Sequence, residues 1–199
     1  MSRLPSALLV LLTAATVRAA ELGQPAPDFS LHDLDGKTVR LSDLRGKIVV
    51  LEWFNPECPF VKASHTAGTL AGAPGRLAGD GLVWLAVNSA APGKQGSDLQ
   101  ENREAARRFQ MSYPVLLDPT GATGRAYGAT NTPHLFVIDR DGRLVYRGAI
   151  DNSPDGEQGA PQGGKLVEYV AAALADLAAG RPVEHADTKP YGCSVKYAR

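Results

Sequence analysis

Apolar and polar positions divide most of the chain into short strands and helices. Continuous apolar runs at 48–51 (I-V-V-L) and 82–87 (L-V-W-L-A-V) predict strands buried on both faces. The runs that flank Asp35-Gly36 and Asp141-Gly142 predict two β-hairpins. Other segments predict a short strand at 114–117 and helices at 59–70, 98–110, 120–127 and 165–178. Alternating strands and helices that close with a hairpin and a helix predict one α/β domain with a mixed sheet.

Composition argues against some classes of partner but does not identify the function. The chain has 199 residues, with 21 basic and 21 acidic side chains and no long basic run. Neither nucleic acid nor an anionic membrane surface is therefore an expected partner. We also expect no membrane span in the mature chain, because no apolar stretch is long enough.

The first 19 residues have the pattern of a secretory signal peptide. Arg3 precedes a short apolar run at 8–12, and Val17-Arg18-Ala19 fits a small-residue cleavage site. We expect cleavage after Ala19 and export to the periplasm or the extracellular space; the alternative is an uncleaved anchor helix. This division predicts a signal peptide at 1–19, a domain at 20–180 and a polar tail at 181–199. An exported protein meets an oxidising compartment, where paired thiols persist as a disulfide.

Cys58 stands where a thiolate would be stabilised. It directly precedes Pro59, a residue typical of the first position of a helix, so its sulfur is predicted to lie at a helix N-terminus. Free backbone N–H groups and the helix dipole lower a thiol pKa there, and Lys62 lies on the same helix face and adds positive charge. The alternative is that Cys58 is an inert, buried apolar residue.

The segment I-V-V-L-E-W-F-N-P-E-C-P-F-V-K resembles the strand, turn and active-site helix of thioredoxin-like proteins. In that resemblance Cys58 matches the first, nucleophilic cysteine, and Val61 stands at the second cysteine. Lys62 matches the lysine that commonly follows. Glu52 matches the buried carboxylate that moves protons on and off the thiols, whereas from the residues alone a structural ion-pair role is equally plausible.

A second segment, N-T-P-H-L-F-V-I-D, resembles the cis-proline loop of the same superfamily. The resemblance implies a cis peptide bond at Pro133 and places Thr132 facing the sulfur. The expected fold is thioredoxin-like, with a mixed central sheet flanked by helices, an N-terminal hairpin and a C-terminal tail.

Two further segments indicate a branch of the superfamily. L-G-Q-P-A-P-D-F-S-L-H-D-L-D-G-K is similar to the opening of the redoxin group, and N-P-E-C-P-F-V-K with G-C-S-V-K-Y resembles a peroxiredoxin-like branch of it. This resemblance implies an exported thiol–disulfide oxidoreductase or a weak thiol peroxidase that needs no cofactor. Its expected partners are protein or small-molecule thiols and disulfides, peroxides and an external thiol reductant.

The chain departs from true peroxiredoxins in front of Cys58. Leu51 and Asn55 stand where those proteins carry a proline and a threonine or serine. The hydroxyl that orients a peroxide is therefore missing. Arg147 is the nearest candidate for the activating arginine, although a solvated surface charge explains it equally well. We expect peroxide reduction to be slow.

The chain has one other cysteine, Cys193, in the polar tail. A thiolate that attacks a disulfide or peroxide needs a resolving thiol, and we expect Cys193 to supply it from a mobile tail, within one chain or between two. The alternatives are a fixed structural disulfide between Cys58 and Cys193, or a Cys193 that packs alone.

A non-enzymatic binding or metal-delivery module is the alternative function. Cys58, His65 and His134 are its candidate ligands, but proteins of that kind need two cysteines close together on one loop, which this sequence lacks.

Overall fold

A computed structural model describes residues 19–79, 81–154, 156, 159 and 161–198. Residues 1–18, which hold nearly all of the predicted signal peptide, lie outside the described part. Within the described residues, no helix is both long enough and apolar enough to cross a membrane.

The domain is built on a mixed seven-stranded sheet, which confirms the predicted fold class. Its strands are β1 (Ser30–Asp33), β2 (Thr38–Arg40), β3 (Ile48–Trp53), β4 (Leu82–Asn88), β5 (Val115–Leu117), β7 (His134–Ile138) and β8 (Leu144–Gly148), while β6 (Asn131–Thr132) lies outside it. The order across the sheet is β2-β1-β5-β4-β3-β7-β8. Strands β3, β4 and β5 run parallel, and the hairpins β1–β2 and β7–β8 cover the two edges.

Strand β3 lies at the centre of the sheet and leads directly to Cys58. It pairs with β4 on one side and with β7 on the other. Its side chains alternate between the two faces, as they do in any strand. Leu51 and Trp53 enter one core cluster and Val50 enters the other. Both faces are therefore covered, as the apolar run at 48–51 predicted.

The helices cover the sheet, and the four that the sequence pattern predicted are all shorter than expected, α1 and α5 by the most. They are α1 (Pro59–Thr66), α2 (Ala73–Arg76), α3 (Leu99–Arg108), α4 (Ala122–Tyr127) and α5 (Tyr169–Ala178). Helix α1 ends at Thr66, not near residue 70. Gly68 follows, and a side chain there would collide with the Gly156 carbonyl, so the chain turns where the loop packs closely. Helix α5 begins at Tyr169, not at residue 165.

The C-terminal tail packs along the domain. Cys193–Ser194 forms the short strand β9, which pairs antiparallel with β6, and Thr132 lies opposite Cys193. Upstream, Asp187 forms an ion pair with Arg147 at 2.7 Å. Downstream, the Tyr197 hydroxyl donates to the Ala129 carbonyl at 2.8 Å. These contacts hold the tail on both sides of Cys193.

Candidate active site

Cys58 lies in the connection between β3 and α1 and is the N-cap residue of α1. Its backbone is extended, with φ −69° and ψ 123°, and its carbonyl accepts the first helical hydrogen bond from Lys62 N at 3.0 Å. Only 1% of the residue is exposed. The sequence prediction of a cysteine at a helix N-terminus is confirmed.

The loop between β6 and β7 lies directly against Cys58. The Thr132–Pro133 peptide bond is cis, as predicted. The Cys58 thiol donates a hydrogen bond to the Thr132 carbonyl at 3.1 Å. The Thr132 hydroxyl is buried and, in the thiol form, has no hydrogen-bond partner among the described residues. Thr132 therefore contacts the sulfur with its backbone and keeps a hydroxyl free to stabilise a thiolate.

Cys193 is the second thiol of the site. The register of β6 and β9 places it opposite Thr132, and it packs against the buried cluster that contains Cys58. Both cysteines are free thiols in this structure. The tail therefore brings a second sulfur to the place where Val61 leaves none on helix α1.

The pKa values of the two thiols are shifted in opposite directions. Burial alone would raise the pKa of Cys58, but hydrogen bonds from the Cys193 and Thr132 side chains and from the Val61 and Cys193 backbone outweigh it, so the pKa lies below its ordinary value. Burial, the hydrogen bond with Cys58 and repulsion by the Cys58 thiolate raise the pKa of Cys193 to about 11. Cys58 is thus the more acidic thiol of the pair.

Lys62 lies on α1, four residues after Cys58. Its side chain is exposed, and its charge lowers the pKa of Glu101, on helix α3, against larger effects that raise it. The shift at Cys58 comes from hydrogen bonds within the site. Sequence spacing placed Lys62 on the correct helix but did not show that the tail would supply the main donor.

Glu52 is fully buried in β3 and is held by three side chains. His65 Nε2 lies 2.7 Å from Oε1, while the Tyr113 hydroxyl and Trp84 Nε1 donate to Oε2 at 3.0 and 3.3 Å. The sequence indicated Glu52 as the buried carboxylate of the site but did not show its pairing with His65. That pairing joins a sheet residue to the last turn of α1, and no local pattern in the sequence shows it.

The remaining candidate residues have structural partners. Asn55 is buried, and its side chain donates to the Gln95 carbonyl and accepts from Glu57 N. The Arg147 guanidinium is bound by Asp187. Burial and the nearby Arg147 charge lower the pKa of His134 to about 4. The described part of the chain has no cluster of three or more His, Cys, Asp or Glu side chains arranged to hold a metal ion.

Comparison with known proteins gives the family of the chain. The redoxin family model matches residues 21–160. The thiol-disulfide oxidoreductase ResA of Geobacillus thermodenitrificans is 31% identical over 133 residues, which cover 63% of this chain and 68% of that protein.

Solved structures share the fold. An uncharacterised conserved protein of Geobacillus kaustophilus has a TM-score of 0.73 and 33% identity, and the match covers 89% of this chain and 93% of that one. A candidate thiol:disulfide interchange protein, DsbE, of Chlorobium tepidum has a TM-score of 0.51 and 26% identity, with 65% and 85% covered. The fold is thioredoxin-like, and the chain belongs to the redoxin family.

Proposed function

We propose that the protein is an exported thiol–disulfide oxidoreductase in which Cys58 is the nucleophile and Cys193 the resolving thiol. The observation that carries this proposal is the pair of free thiols packed together, one at the N-terminus of α1 and one on β9, opposite the residue whose carbonyl accepts from Cys58. The similarity to thiol-disulfide oxidoreductases supports it. Export rests on the N-terminal sequence pattern alone.

The reaction requires two successive exchanges. The Cys58 thiolate attacks one sulfur of a substrate disulfide, forms a mixed disulfide and expels the other substrate sulfur as a thiolate, which takes a proton. Cys193 then loses its proton, attacks the Cys58 sulfur and expels the second substrate thiolate. The substrate disulfide is reduced to two thiols, and the protein dithiol is oxidised to a Cys58–Cys193 disulfide.

Other parts of the site support these steps. Cys193 must release a proton before it attacks, because its pKa is about 11. We propose Glu52 as the group that relays protons for the pair, with His65, Tyr113 and Trp84 holding its carboxylate in place. Because Cys58 is 1% exposed, a substrate disulfide reaches it only when the tail moves aside.

Disulfides are proposed as faster substrates than peroxides. Asn55 offers no hydroxyl, and both ends of its side-chain amide are bound to backbone groups. The Arg147 guanidinium is bound by Asp187 in the tail. A peroxide would therefore meet neither the orienting hydroxyl nor the free arginine that fast peroxide reduction uses.

The test compares the wild-type chain with Cys193→Ser and Cys58→Ser during reduction of a disulfide-containing peptide by dithiothreitol. We expect Cys193→Ser to lose turnover while a mixed disulfide accumulates on Cys58, visible by mass spectrometry, and Cys58→Ser to form no such adduct. Wild-type turnover by Cys193→Ser would exclude Cys193 as the resolving thiol. Absence of turnover in the wild-type chain would favour the non-enzymatic alternative.

A further inference from the structure

The two sulfurs of the site differ in their access to solvent. Cys58 is 1% exposed and lies beneath the tail, whereas Cys193 is half-buried on the tail itself. If the two form the disulfide required by the proposed function, an incoming thiol meets the Cys193 sulfur first. The tail need not move for that contact.

A cavity of about 360 Å³ lies along the part of the tail that leads into Cys193. One wall is formed by Gly192, directly before Cys193, and by Asn131, directly before Thr132. The Asn131 amide donates to the Gly192 carbonyl at 3.0 Å, so this wall belongs to the contact between β6 and the tail. The volume is at the lower end of the range for small-ligand sites and is too small for a folded protein partner.

Three polar side chains that line the cavity are available to a ligand. The Lys189 ammonium, the Gln162 amide and the Tyr169 hydroxyl form no hydrogen bond or ion pair with other described residues. Among the described lining residues the carboxylate is that of Asp151, which is buried and already accepts hydrogen bonds from Thr69, Tyr191 and the backbone of Ser153. The described lining residues therefore offer the positive charge of Lys189 and neutral hydrogen-bonding groups.

We propose that this cavity binds a small anionic thiol, of the amino-acid or short-peptide class, which exchanges with Cys193 and reduces the protein disulfide. The carboxylate of such a thiol pairs with Lys189, and its amide or hydroxyl groups meet Gln162 and Tyr169. The two half-reactions then use different sulfurs: the substrate disulfide reacts at Cys58, and the reductant reacts at Cys193.

The pKa shifts of the two thiols also favour attack of the reductant on Cys193. The ligand thiolate attacks the Cys193 sulfur, a ligand–Cys193 disulfide forms, and Cys58 leaves as a thiolate. Cys58 is the better leaving group, because its pKa is lowered while that of Cys193 is raised. A second ligand thiolate then attacks the ligand sulfur and releases Cys193, which takes a proton. Two thiols become one disulfide, and the protein regains both thiols.

Charge reversal at Lys189 tests whether the cavity binds an anionic thiol. The oxidised full-length chain is reduced by glutathione, which is anionic, by cysteamine, which is cationic, and by dithiothreitol, which is neutral. For Lys189→Glu we expect the rate with glutathione to fall about tenfold, the rate with cysteamine to rise and the rate with dithiothreitol to stay the same. The matched control is Lys47→Glu, the same charge change on an exposed residue before β3. Equal changes in both variants, or no change in either, would overturn the proposed cavity.

Mapping the glutathione adduct tests which of the two sulfurs the reductant attacks. The oxidised chain is mixed with glutathione, and the reaction is quenched with acid before it is complete. The protein is then digested, and mass spectrometry identifies the modified cysteine. We expect glutathione on Cys193, and an adduct on Cys58 would overturn this inference while leaving the proposed oxidoreductase intact. Failure of the oxidised chain to form a Cys58–Cys193 disulfide would instead refute the proposed function itself.

Discussion

At the scale of single residues, the acidity of Cys58 depends on its neighbours in space. Its location at the start of α1 was predictable, but the strongest favourable side-chain contribution comes from Cys193, 135 residues further along the chain. Thr132 adds a second donor from the cis-proline loop. The residue that lowers the pKa of the nucleophile is therefore also its proposed redox partner.

Replacement of Cys193 should raise the pKa of Cys58. Cys193→Ala removes a hydrogen-bond donor from the thiolate, whereas Cys193→Ser keeps a hydroxyl that can donate in its place. We expect the ultraviolet absorbance of the Cys58 thiolate to titrate at a higher pH in the alanine variant than in the serine variant. Identical titrations of the two variants would show that a donor at position 193 does not set the acidity of Cys58.

At the scale of elements, the tail is the part that completes the site. Two residues before Cys193, the Tyr191 hydroxyl donates to the buried Asp151 at 3.0 Å and so anchors β9. Strand β9 has only two residues, and such a short pairing is easily opened. Access to Cys58 therefore depends on contacts made outside the strand itself.

Loss of the Tyr191 anchor should expose Cys58. In a Cys193→Ser background, Tyr191→Phe removes one hydrogen bond, worth about 1 kcal/mol, and should speed alkylation of Cys58 by iodoacetamide about fivefold. Tyr127→Phe is the matched control, because its hydroxyl donates to the Pro27 carbonyl at 2.8 Å, away from the tail. We expect that control to lose stability without faster alkylation. Faster alkylation of both variants would point to general loosening of the domain.

The elements also show how much the sequence could predict. The two hairpins, the buried strand β3 and the cis bond before Pro133 follow from local signals: turn residues, an apolar run and a short motif. The docking of the tail does not, because β9 is short and polar, and its pairing depends on where β6 lies. The contact between His65 and Glu52 was missed for the same reason, since it requires the packing of α1 on the sheet.

At the scale of the whole molecule, the tail returns to the domain that precedes it, so the two thiols meet within one chain. The sequence left open whether they pair within or between chains. In the structure, β6 and β9 belong to the same chain, and Cys193 packs against the cluster that contains Cys58. A disulfide between them closes a loop of about 135 residues.

Oxidation should therefore stabilise a monomer. Closing a loop of this length lowers the entropy of the unfolded chain, which is worth about 5 kcal/mol at 25 °C in the chain-entropy model, and strain in the folded state reduces that gain. We expect the oxidised chain to run as a monomer on a non-reducing gel and to unfold at a higher urea concentration than the reduced chain. The Cys58→Ser/Cys193→Ser double variant, which forms no crosslink, should unfold at the same concentration with and without reductant. A disulfide-linked dimer that disappears in either single variant would place the pair between chains and contradict the arrangement of the tail described here.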